Sequence, residues 1–176
     1  MRALTLGCDV RDTGSVIVNG RRRFGRACVI LAVAFSAAAC GDGGGGALTV
    51  GGAAGDGRVS GSDQTQPSGW AAPIQADVWT VSLEAGSAVT ILLCSTSPTS
   101  AFDPYLQLDF MRETVAVDDD SAGNLNARIV YTPTRSGSYD IYAMSREGTA
   151  PAGGAAYSLR VLPGAMFDAT CPMEAR

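Results

Sequence analysis

Between residues 78 and 162 the chain alternates apolar and polar positions in short bursts separated by turn residues. In 78–83, Trp79, Val81 and Leu83 share one face, and Glu84-Ala85-Gly86-Ser87 closes the segment. A period of two is the signature of a half-buried strand. The same reading gives strands at 89–94 (Val89, Ile91 and Leu93 inward), 105–110 (Leu106, Leu108 and Phe110), 114–117, 128–132 (Ile129 and Tyr131), 138–144 (Tyr139, Ile141 and Ala143) and 156–162 (Tyr157, Leu159 and Val161). An eighth is expected near 58–62. No segment sustains a helical period. Short strands with Gly- and Pro-marked turns predict an all-β fold, an antiparallel β-sandwich or jelly roll of seven to eight strands. The inward aromatics Trp79, Tyr131, Tyr139 and Tyr157 are read as core and cross-strand packing. The alternative is an aromatic platform on which sugars stack.

Ahead of these strands the texture is different. Arg21-Arg22-Arg23-Phe24-Gly25-Arg26 is a basic run, and 27–39 is apolar, about as long as the apolar part of a signal peptide and too short to span a bilayer as a mature helix. It ends in Ala37-Ala38-Ala39-Cys40, which resembles the lipobox of bacterial lipoproteins. The resemblance implies that Cys40 is acylated on sulfur and becomes the mature N-terminus; ordinary cleavage after Ala39 would instead leave a free thiol. Acyl chains at ~0.8 kcal/mol per buried CH₂ would anchor the chain stably. Gly41 after the cysteine resembles the outer-membrane-sorted class of Gram-negative lipoproteins. Residues 1–20, with Cys8, Asp9 and Asp12, fit no part of a signal and suggest an over-long start. Residues 41–57 hold nine glycines. They are expected to form a flexible tether, keeping the domain roughly 20–25 Å from the bilayer. The resulting plan is a signal region at 1–39, a lipid-anchored linker at 40–57, a sandwich at 58–163 and a tail at 164–176.

Composition removes several kinds of chemistry. The 176-residue chain has no histidine, and its 13 basic residues are all arginine. Ser-His-Asp and Cys-His hydrolase sites and histidine-ligated zinc are therefore excluded. From residue 40 onward acids outnumber arginines by eight, which argues against binding a phosphate backbone and permits binding a cation.

Five motifs in series resemble a known module. Asp77-x-Trp79-x-Val81-x-Leu83-x-Ala85-Gly86, Phe102-Asp103-Pro104-Tyr105-Leu106-x-Leu108, Asp118-Asp119-Asp120-Ser121 with Leu125-Asn126-Ala127-Arg128-Ile129, Ser136-Gly137-Ser138-Tyr139-x-Ile141, and Tyr157-Ser158-Leu159-x-Val161 follow in order across about 58–163. Together they resemble the bacterial pre-peptidase C-terminal domain. That resemblance implies a β-sandwich appended to exported enzymes, related to collagen-binding domains and not itself catalytic. No peptidase domain accompanies it in this sequence.

Asp118-Asp119-Asp120 is the sharpest candidate site. Three adjacent carboxylates repel one another, and a hard cation taking six to eight oxygens would relieve that. Related modules often bind calcium near such loops. Asp103 begins a neighbouring strand and could reach the same end, with Asn124 and Asn126 offering amide oxygens. The alternative is a solvated turn whose Asp side chains cap backbone N–H groups. Of the cysteines, Cys8 and Cys28 fall in the precursor and Cys40 is assigned to lipid. Cys94 and Cys171 remain as an even pair in an exported chain, predicting a disulfide that staples the tail, with Met166 and Phe167, over the outward side of the strand at 89–94. Two free buried thiols are the alternative. The expected protein is a non-catalytic lipoprotein of the cell envelope, in the outer membrane if the organism is Gram-negative. It binds a protein, a glycan or an envelope component and no nucleic acid. The alternative is a structural spacer or partner subunit of an exported enzyme or envelope assembly.

Overall fold

The structure is a computed structural model and describes residues 44–96 and 102–171. Ten strands follow one another: β1 (Gly45–Leu48), β2 (Gly55–Val59), β3 (Gln64–Thr65), β4 (Ile74–Leu83), β5 (Val89–Ser95), β6 (Pro104–Phe110), β7 (Glu113–Asp118), β8 (Ala127–Tyr131), β9 (Gly137–Ser145) and β10 (Ala155–Pro163). They form two sheets. The first runs β1-β4-β9-β6-β7, with β3 also paired to β4; the second runs β2-β10-β5-β8. All pairings are antiparallel except β1 with β4. The fold is the expected all-β sandwich, with no helix among the described residues.

Alternation decides which side chains meet between the sheets. Trp79, Val81 and Leu83 of β4, Leu106 and Leu108 of β6, and Tyr139 and Ile141 of β9 face Ile91 and Leu93 of β5, Ile129 of β8, and Tyr157, Leu159 and Val161 of β10. Each is less than a tenth exposed. Burying one such aliphatic side chain contributes about 1.5–3 kcal/mol, and this layer is the main source of stability. The inward aromatics are therefore core: Trp79, Tyr139 and Tyr157 are buried, and Tyr131 is partly buried edge-on to Tyr139 at 6.0 Å between centroids. They form no platform open to sugars.

All seven strands expected from alternation are present, and the eighth expected near 58–62 overlaps the end of β2, but the described part of the glycine-rich stretch, 44–57, is not a tether. Residues 45–48 and 55–59 are β1 and β2, so strand structure begins well before residue 58. The reason is close approach. A side chain at Gly55 would lie 2.6 Å from the Trp79 ring, and at Gly44 or Gly57 it would collide with the Tyr157 hydroxyl. Glycine here admits backbone onto large aromatics, a use that composition alone reads as flexibility.

Candidate functional site

The acidic turn joins β7 to β8 at one end of the sandwich. Asp118 is engaged with the backbone. Its Oδ2 accepts the Ser121 N–H at 3.0 Å and the Arg128 N–H at 2.8 Å, and its Oδ1 accepts the Ser121 hydroxyl. Asp119 turns to Arg146, with Oδ2 3.1 Å from Nε. That guanidinium also lies 5.4 Å over the Tyr105 ring. Asn126 accepts the Ser95 N–H at 2.8 Å and donates to the Gly123 carbonyl, which fixes a tight turn with Asn124 and Leu125 at positive φ.

Asp103 does approach this end. Its carboxyl is raised above the usual range by burial, then by Asp120, Asp119 and Glu147, against the opposing pull of Arg146. Its Oδ1 is enclosed without a hydrogen-bond partner. The four acids named from the sequence thus share a neighbourhood but not a coordination sphere. Among the described residues no three acids gather as a metal-binding group. With both Asp118 oxygens capping the turn and Asp119 held by an arginine, the donors as placed do not fit a resident calcium.

The tail crosses the outer side of the second sheet. Thr90 Oγ1 donates to the Gly164 carbonyl and accepts the Met166 N–H, each at 2.8 Å, and Arg128 holds the Ala169 carbonyl at 2.5 Å. A disulfide joins the tail to β5 between Cys94 and Cys171, 77 residues apart in sequence. Leu92, Cys94, Ala122 and Cys171 make a small second core, joined by Leu162 and Ala169. A cross-link over this length contributes about 4 kcal/mol in the chain-entropy account. Met166 and Phe167 are not the covering groups; Phe167 is 72% exposed, and Ala169 of the tail packs on the cluster instead. Beside the disulfide, Asp56, Ser95, Thr96, Ser158 and Arg160 line an open groove of about 380 Å³. Cys40 lies outside the described residues.

Sequence reading passed over a buried polar knot at the opposite edge. Asp77 is 2% exposed. It accepts the Tyr157 hydroxyl at 2.5 Å and the backbone N–H groups of Gly44 and Arg58. Tyr157 in turn accepts the Trp79 indole N–H at 2.8 Å. Burial pushes the Asp77 carboxyl up to about 6 despite these donors. One carboxylate thereby ties β1 and β2 to β4 and β10. The signal was available: Asp77 sits two residues before Trp79, hence on the same inward face. A second polar patch lies on the outside of the first sheet. There Gln107 and Asp109, both 2% exposed, are covered by residues 66–73 through bonds to Ser68 and to the Trp70 indole. Outward parity predicts solvent for both; the crossing loop removes it.

No protein-family model matches the chain, and no curated protein matches it. Among solved structures it is similar to the pre-peptidase C-terminal domain of a collagenase from Bacillus anthracis, at 15% identity over 68% of this chain and 95% of that one, with a TM-score of 0.47. It is also similar to PliG of Aeromonas hydrophila, a periplasmic inhibitor of g-type lysozyme, at 17% identity over 68% and 99%, with a TM-score of 0.43. A third is CorA of Methylomicrobium album BG8, a surface-associated copper-binding protein, at 14% identity over 68% and 97%, with a TM-score of 0.46. The module whose motifs this sequence resembles is thus among the structures it is similar to.

Proposed function

We propose that this chain is an exported, non-catalytic binding module of the cell envelope, held at a membrane by lipid on Cys40. The observation that carries the binding reading is where the polar chemistry goes. Asp77, Tyr157, Gln107, Asp109 and Asp118 are occupied in holding strands, turns and the crossing loop together. Tyr139 likewise gives its hydroxyl to the Arg135 carbonyl at 2.7 Å. What faces solvent is surface: the groove beside the disulfide and an open strand edge on β7. The disulfide supports export, because such bonds persist in oxidising compartments.

The test has two arms. Cells expressing the full chain are fed a labelled fatty acid and fractionated; label is expected in wild type and absent in Cys40→Ser. Unlabelled wild type released into the soluble fraction overturns the anchor. Purified protein is then titrated against solubilised envelope material, with amide exchange as the readout. Saturable protection of a contiguous surface is expected, and exchange unchanged at every amide overturns the binding reading.

A further inference from the structure

A sandwich of two open sheets has edge strands, and their sequences differ. In the first sheet the outer strands are β1 and β7; in the second they are β2 and β8. Strand β1 is Gly-Gly-Ala-Leu, and β2 is Gly-Asp-Gly-Arg-Val, with charges in its middle. The first N–H of β8 after Ala127, that of Arg128, is already taken by Asp118. Strand β7 is Glu-Thr-Val-Ala-Val-Asp, with threonine and two valines inside, acids only at its two ends, and a bulge at Val115 in its ladder to β6. Val117 is 50% exposed. Among the described residues, no hydrogen bond beyond the ladder to β6 reaches the backbone of residues 113–117.

An unpaired edge of this kind is a template for another strand. Its charges decide which. Two copies pairing antiparallel through β7 would set Glu113 opposite Asp118 twice, and like charges directly opposite are destabilising. Asp119 and Asp120 extend the negative end, with Arg146 offsetting Asp119. Arg112, in the turn before Glu113, lies within electrostatic range of Tyr142 on β9. We infer that the β7 edge is the docking site of an extended peptide segment that carries basic residues at both ends and β-branched residues between them, added antiparallel as a further strand of the first sheet. This deepens the binding-module reading and rests on it. Glu113 at one end and the acidic turn at 118–120 at the other disfavour a second copy in that register and favour the opposite sign.

The purified full chain is mixed with a fluorescent six-residue peptide of alternating threonine and valine bearing an arginine at each end, and with its counterpart bearing glutamates. The arginine peptide is expected to slow amide exchange at residues 113–118 and to bind at least about tenfold more tightly than the glutamate one. Glu113→Lys, at an exposed position, should erase that preference. It should also make the chain self-associate more strongly than wild type in sedimentation, because the introduced ammonium then faces the acidic end of the second copy. Equal binding of the two peptides, or Glu113→Lys that associates no more than wild type and keeps the preference, overturns the edge site. If envelope material protects another face and leaves 113–118 unchanged, the edge site falls while the binding module stands. Amides unchanged by both peptides and by envelope material sink the two readings together.

Discussion

The two lateral edges of the sandwich invert what their sequences suggest. The β1/β2 edge is built largely of glycine, yet it is sealed: its backbone lies on Trp79 and Tyr157, and Asp77 bonds it to β4 and β10. The β7 edge is built of Val115, Ala116 and Val117, yet it is open beyond the ladder to β6. Rigidity here comes from what the backbone meets across the sheets, not from the strand propensity of its own residues. The difference also separates roles. The sealed edge commits its polar groups to the frame, whereas the open edge leaves backbone available for a partner.

The largest expected effect comes from filling the sealed edge. A valine at Gly57 must displace the Tyr157 ring and with it the bonds to Asp77 and Trp79. Gly57→Val should therefore lose at least about 3 kcal/mol in chemical denaturation, at the upper end of overpacking costs. Val117→Thr on the open edge should change stability by no more than about 0.5 kcal/mol. Similar losses at the two positions would erase the contrast.

Titration of Asp77 sharpens it further. Its carboxyl releases a proton near 3.8 in the unfolded chain and near 6 in the fold. Between those values the folded state holds a proton that the unfolded state has lost. This contribution is full below pH 3.8 and is lost as pH rises through 6, by up to about 3 kcal/mol. Other carboxylates titrate in the same range, so the readout is wild type minus Asp77→Asn, measured by urea midpoints at about pH 4 and about pH 7.5. The wild type should lose more stability than the variant between the two. Parallel curves would mean that the donors from Tyr157, Gly44 and Arg58 offset the burial that raises the Asp77 carboxyl.

The same contrast shows where sequence reading succeeds. Seven strands were legible because period-two alternation reports directly on which side faces a core, as Trp79, Val81 and Leu83 do in β4. Strand β1 was not, and β2 only at its end, where a strand near 58–62 is expected, because a glycine that admits an aromatic ring and one that permits disorder are the same letter. The Cys94–Cys171 bond was legible from parity of count, but the covering of Cys94 by Ala169 rather than Met166 depends on the path of the tail. Asp118 as a cap and Asp119 as an arginine partner needed coordinates, since three consecutive acids point in different directions along a turn.

A smaller effect is expected where the open edge is made. The β6–β7 hairpin turns through Met111 and Arg112, both left-handed at φ 52° and 66°. Side chains there carry a penalty that Asn-Gly avoids. Replacing the pair by Asn-Gly should stabilise by about 1 kcal/mol, read as a higher urea midpoint. An unchanged or lower midpoint would show that the Met111 side chain, 72% exposed, contributes more than its backbone strain costs.

The smallest effect is expected at the acidic end. A calcium ion there would have to draw Asp119 away from Arg146 and compete with the Ser121 and Arg128 N–H groups for Asp118. Those bonds are already made, so ligation gains little over the state it replaces. The thermal midpoint in millimolar calcium should therefore match that in EDTA to within about 1 °C, because a ligand stabilises only in proportion to its affinity for the folded state. Asp103 is the residue through which this could fail, as its enclosed Oδ1 lacks a partner and Asp120, Asp119 and Glu147 surround it. A rise of several degrees that disappears in Asp103→Asn would place a cation at that oxygen. The negative end of β7 would then be partly neutralised, and the preference of the edge for basic peptides should weaken as calcium is added.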